Sequence, residues 1–169
     1  GPVYLLAGAG GNITLSVGPD GVLLVDSGLA ETSGQVLAVI RQLQARLATR
    51  ETPVGFGSET RSELFALRAP PTPPKPIRYV LNTHFHPDHT GGNGAIAGAG
   101  RTITGGNVAG DLSDASQSAA VVAHESVLHR MSRVVPALPF RALPTDAYFT
   151  PFFKLGAHFN GEGIQLIDM

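Results

Sequence analysis

Thr83-His84-Phe85-His86-Pro87-Asp88-His89-Thr90-Gly91-Gly92-Asn93 is the stretch on which the reading of this 169-residue chain turns. It continues from Ile77-Arg78-Tyr79-Val80-Leu81-Asn82, an apolar, β-branched run that reads as a strand. Side chains two residues apart at the mouth of a strand leave on the same side, so His84 and His86 can present their imidazoles to one point. Pro87 then turns the chain, and Asp88 and His89 can address a second point nearby. Three imidazoles and a carboxylate form a donor set for Zn, Fe or Mn and not for copper(I). The glycines that follow allow the backbone close to such a centre. With six His and seven Asp in the chain, His-x-His-x-Asp-His would arise by chance roughly three times in ten thousand such sequences. The cluster is therefore read as a ligand set.

Working outward, Asn12-Ile13-Thr14-Leu15-Ser16-Val17 and Val22-Leu23-Leu24-Val25-Asp26 flank Gly18-Pro19-Asp20-Gly21, the pattern of a β-hairpin. Four consecutive apolar residues in its second strand predict burial on both faces. Val36, Ile40, Leu43 and Leu47 share one face of a helix expected over 32–49, with Thr32 or Ser33 able to cap its start. Residues 50–76 carry six prolines and read as an inserted loop with a short helix at 62–68. Beyond the motif, short helices are expected at 93–99 and 125–133 and short strands at 102–104 and 119–123. A final hairpin should turn at Asn160-Gly161, a type I′ pair.

The motif, the strand before it and the Gly10-Gly11-Asn12 … Val25-Asp26-Ser27-Gly28 hairpin together resemble the metallo-β-lactamase fold superfamily. The resemblance runs from about Val3 to Met169, interrupted by the 50–76 loop and a smaller one near 105–118. It implies an α/β fold, the αβ/βα sandwich, with His84 and His86 on a first metal and Asp88 and His89 on a second. The metal implied is Zn, one or two ions per complete site, and Asp88 is also the implied catalytic residue. Members of this kind need a third His, a bridging Asp and a last His from the second half of the fold. Here Gly163-Ile164-Gln165-Leu166-Ile167-Asp168-Met169 resembles the strand just before that half, so the chain reads as one incomplete domain, the first αβ half. The rest of the site is expected from a further segment or chain, or from a dimer. Helix 32–49 covers one sheet face only, and the other is expected to stand bare.

His124 ends an apolar strand, but the resemblance assigns the His124-Glu125 pair to opening a helix and not to metal. His129 and His158 sit in ordinary amphipathic contexts. For Asp26 two readings stand open: orienting the metal loop, as the resemblance suggests, or serving as a turn or cap residue. Asn12 and Thr83 read as turn and strand-end residues.

The activity implied is metal-dependent hydrolysis of a small-molecule substrate of carbonyl type: a β-lactam, thioester or lactone. The alternatives are a mononuclear iron oxygenase of the same fold, similar to persulfide dioxygenases, and a non-catalytic pairing module. No Gly-x-Ser-x-Gly elbow supports a serine hydrolase. Net charge is −1, which argues against a nucleic-acid partner, and no apolar run approaches the ~18 residues of a membrane span. Cysteine is absent, so disulfides, thiolate ligands and thiol nucleophiles are excluded together. No leader-like segment is expected within the chain; many relatives of this style are exported, which points to a periplasmic or secreted bacterial setting.

Overall fold

The hairpin forms where the turn chemistry places it: β2 (Ile13–Gly18) and β3 (Gly21–Val25) pair antiparallel through Gly18↔Gly21. The computed structural model describes residues 2–8, 10–48, 75–101, 118–156 and 158–168. β1 (Val3–Leu6) adds to β2 antiparallel, and β4 (Ile77–Leu81), β5 (Ala120–His124) and β6 (Asp146–Tyr148) continue beyond β3 in parallel. The six-stranded order is β1-β2-β3-β4-β5-β6. The carboxyl ends of β3, β4 and β5 therefore share one edge, where open α/β sheets build their sites. Among the described residues, no helix is long and apolar enough to cross a membrane.

α1 (Ser33–Ala48) places Val36, Ile40 and Leu43 on one sheet face, over Ile13, Leu15, Val17, Val22 and Leu24. Its start differs from expectation. Thr32 Oγ1 and Ser33 Oγ donate back to the carbonyls of Leu29 and Ala30, 2.8 Å each, because the chain enters α1 through a 3-10 turn at Ala30–Thr32. α2 (Pro87–Thr90) and α3 (Asn93–Gly98) follow β4, and α4 (Glu125–Met131) follows β5. The expected helix at 62–68, the strand at 102–104, and nearly all of both inserted loops lie outside the described residues.

The opposite sheet face corrects a second expectation, since it is not bare. Leu23, Leu81, Ala120 and Val122 form a second cluster with Leu155 and Phe159 of the C-terminal hairpin, β7 (Phe152–Lys154) and β8 (Gln165–Ile167). Tyr79 meets Phe159 edge-on at 5.5 Å. Asn160 (φ 53°) and Gly161 (φ 85°) make the I′ turn, closed by Phe159 and Glu162 hydrogen-bonding each other both ways. The hairpin's outer face leaves Phe152 and Ile167, a directly opposed pair, 57% and 65% exposed. The architecture is thus α/β, one helical layer on a mixed sheet with the beginning of a second sheet, as the first half of a sandwich requires.

Candidate metal centre

β4 ends at Leu81, so the histidine segment is a bent loop running into the single turn of α2, and strand parity does not govern it. What governs it is Asp26. This residue closes β3 in the left-handed region (φ 64°), a conformation Asp tolerates better than most, and only 4% of its surface is exposed. Its Oδ1 accepts from the Thr83 backbone N–H (2.8 Å). Its Oδ2 accepts from Thr83 Oγ1 (2.8 Å) and from His89 Nδ1 (2.7 Å). A carboxylate offers no proton, so Nδ1 of His89 carries one, and in the neutral ring it is Nε2 that holds the lone pair and faces outward. That lone pair lies 3.3 Å from Asp88 Oδ2.

Donor atoms of His84, Asp88 and His89 all lie within 4.8 Å of one another, and the His84 and His89 ring centroids are 3.9 Å apart. Two imidazoles and a carboxylate thus converge at a spacing and with a donor chemistry that fit a divalent cation such as zinc, iron or manganese. Burial, and next the neighbouring His89 imidazole, hold the His84 pKa below the ordinary 6.5, which favours the neutral ligand form. His86, also expected here, stands just before α2 with its ring edge-on to His84 (4.9 Å) and tilted against Phe85 (4.5 Å), outside the convergent trio. Phe85 turns away, onto the cluster of Ala123, Val127 and Met131, with the Arg130 guanidinium 5.3 Å above its ring.

Beneath the loop lies a buried polar network that sequence reasoning missed. Ser27 N donates to the His89 carbonyl (2.8 Å), and Ser27 Oγ lies 2.8 Å from Asn93 Oδ1 and 3.0 Å from that same carbonyl. Asn93, fully buried, exchanges two side-chain bonds with Asn82 (2.8 and 3.1 Å) and donates to the Ala142 carbonyl (3.0 Å). Every polar atom of the Asn93 amide is used, so the network fixes the loop without an orphaned group. Its only trace in the sequence is polar residues directly after apolar strands. Above the loop, a Cβ at Gly11 would stand 2.8 Å from the Asp88 carbonyl oxygen and 3.0 Å from the His89 ring, so only glycine permits this approach.

His124 serves α4, not the cluster: its Nδ1 lies 2.9 Å from Ser126 Oγ and accepts from Ser126 N (3.3 Å) at the helix start. His129 and His158 are exposed. Of the two readings of Asp26, its three accepted bonds realise the loop-orienting one.

A sequence model described as the Metallo-beta-lactamase superfamily matches residues 6–114, which holds both the Asp26 strand and the histidine loop. The chain belongs to the metallo-beta-lactamase superfamily. Similar solved structures include the Rm3 metallo-beta-lactamase (22% identity, TM-score 0.49, 91% of this chain and 45% of that one). Another is MEM-A1, a subclass B3 metallo-beta-lactamase from a soil metagenome library (18%, TM-score 0.47, 95% and 52%). A third is the metallo-beta-lactamase with a HARLDQ motif from Cronobacter sakazakii (20%, TM-score 0.42, 87% and 40%). This superfamily chain spans about half the length of the structures it matches. No curated protein sequence matches it.

Proposed function

We propose that this metallo-beta-lactamase superfamily chain carries the first half of a dinuclear zinc site for hydrolysing a carbonyl-type small molecule: a β-lactam, thioester or lactone. The observation that carries the reading is the convergence of His84, Asp88 and His89, with Asp26 fixing which nitrogen His89 presents. Zinc bound there would lower the pKa of a coordinated water toward 7 and polarise the substrate carbonyl. His84 would supply the first set of donors, joined by His86 once that exposed ring turns inward from its place outside the trio. Asp88 and His89 would supply the second. Asp88 also orients the attacking water, because its carboxylate is the one acceptor of the trio that can take a proton bond and a metal at once. Gly10 and Gly11 close the site from above. A third His, a bridging Asp and a last His would come from a further segment or chain, or from a second copy.

The test is zinc stoichiometry and turnover of a chromogenic β-lactam, a thioester and a lactone by the full natural protein, with Asp88→Asn alongside. Hydrolysis of one class, lost in Asp88→Asn while first-site zinc persists, supports the reading. Retained turnover in that variant counts against it. One observation favours a second reading: the convergent trio is two His and one carboxylate, the donor set of mononuclear iron oxygenases. Iron at one equivalent, with no zinc, in protein purified without added metal would select it.

A further inference from the structure

The structure assigns to Thr83 a role in the metal site: its hydroxyl relays the Asp26 carboxylate to His84, so that one buried carboxylate sets the tautomer of two ligating imidazoles. The inference rests on the metal-site reading above and goes beyond it, to a residue that never touches the metal. Thr83 Oγ1 lies 2.8 Å from Asp26 Oδ2 and 3.0 Å from His84 Nδ1. A hydroxyl has one proton and two lone pairs. The carboxylate is acceptor-only, so the contact at 2.8 Å consumes that proton. The oxygen then meets His84 Nδ1 with lone pairs alone, and Nδ1 must donate. His84 is left with its proton on Nδ1 and its lone pair on Nε2, the same tautomer that Asp26 imposes directly on His89. The reverse orientation, hydroxyl to imidazole, would set two acceptors 2.8 Å apart with no proton between them.

Geometry makes Thr83 hard to replace in this role. Its backbone N–H is already anchored on Asp26 Oδ1, so backbone and side chain grip the two oxygens of one carboxylate, and rotation about χ1 is restricted. Asp26 is itself fixed at φ 64° by Asp26 N donating to the Leu81 carbonyl (2.7 Å) and by the three bonds its oxygens accept. Partners behind a ligating His ordinarily fix ring and tautomer, and their loss typically weakens metal binding about 10–100-fold. Here a single carboxylate does so for two rings, reaching the second through a threonine. Thr83 is a positioning residue.

The experiment uses Thr83→Val, which keeps the shape and removes the hydroxyl, and Thr83→Ser, which restores it. Long-range 1H–15N spectra of metal-free protein, at a pH well above the imidazole range, read the tautomer of each ring directly. The expected result is Nδ1–H at both His84 and His89 in the wild type and in Thr83→Ser. In Thr83→Val, His84 loses that preference and His89 keeps it, while the far-UV spectrum stays native. Zinc affinity, by titration against a chromophoric chelator, should fall about 10–100-fold in Thr83→Val and be recovered in Thr83→Ser. An unchanged His84 tautomer in Thr83→Val overturns the relay. So does Nε2–H at His84 in the wild type, or a Thr83→Ser variant that behaves like Val. Wild-type protein that binds no zinc overturns the metal reading instead, while the tautomer arm still decides the relay. If Thr83→Val does not fold, the wild-type and Thr83→Ser spectra alone decide it.

Discussion

Two non-glycine residues among those described adopt positive φ, and they stand at opposite ends of the hairpin β2–β3: Asp26 (φ 64°) and Asn160 (φ 53°). Both are nearly buried, and both use a short polar side chain to hold segments remote in sequence. Asn160 clasps the C-terminal hairpin to the β2–β3 turn. Its Nδ2 donates to Ser16 Oγ (3.0 Å) and the Gly21 carbonyl (3.1 Å), and its Oδ1 accepts from Asp20 N (3.0 Å). Its own N–H donates to Asp20 Oδ2 (2.6 Å). Asp26 spends its bonds on Thr83 and on an imidazole, whose outward nitrogen remains available. The same backbone device thus serves two ends. Asn160 bonds backbone, hydroxyl and carboxylate groups and is a fastening. Asp26 adds one imidazole to a backbone N–H and a hydroxyl, and so orients a side chain of the convergent trio.

The largest expected contrast is in metal binding. His84→Ala and His89→Ala should abolish measurable zinc uptake, because each removes one donor of a three-residue convergent group. Asn160→Ala should keep wild-type zinc stoichiometry. Metal analysis after gel filtration checks both, and zinc loss in Asn160→Ala would erase the distinction between the two ends. His86→Ala sharpens the site itself. Zinc loss there shows that His86 turns inward, and retention restricts the set to His84, Asp88 and His89. The next effect is on stability. Asn160→Ala leaves Ser16 Oγ, the Gly21 carbonyl and Asp20 N–H without this partner and should cost about 2–3 kcal/mol in chemical denaturation. Asn160→Gly separates the causes, since it removes the same bonds while relieving the left-handed backbone. Gly18→Ala should reproduce part of the loss, because its Cβ would stand 2.8 Å from the Asn160 amide.

The contrast also explains what could be read in the sequence. The Asn160-Gly161 turn was legible because type I′ chemistry is local to two residues, and α1 because its apolar spacing is a property of its own sixteen residues. The convergence of His84, Asp88 and His89 was legible because their spacing is carried in six consecutive positions, whereas His86, read as a ligand from strand parity, stands outside the trio because β4 has already ended. β1 and β6 were not. Their exposure patterns are half open, and they exist through pairing with β2 and β5. The second half of Asp26's work was equally hidden. Residues 26, 83 and 89 meet only because β3 and β4 pair in parallel with Val25 opposite Leu81, which no local pattern states. The face expected to stand bare was misread for the same reason: Leu155 and Phe159 reach it from the far end of the chain.

The smallest expected effect is a pH dependence, and it again separates the two ends. In the metal-free chain, burial and then the His89 imidazole lower the His84 pKa from 6.5, so the folded state binds that proton less readily than the unfolded chain. Where the unfolded chain holds more protons, stability rises with pH. His84 therefore withdraws stability as pH falls below about 6.5 toward its lowered folded value, and withdraws nothing at neutral pH and above. Thermal midpoints between about pH 5 and pH 8 should show a shallower acid-side decline in His84→Gln than in the wild type. Asn160→Gly should displace the whole curve downward and leave its slope intact, because none of the bonds it removes involves an imidazole. The ring also sits partly open to water, which screens the contribution and makes this the weakest of the contrasts. A wild-type curve parallel to that of His84→Gln would show that the His84 proton is held equally in both states, and that the converging rings impose no cost on it.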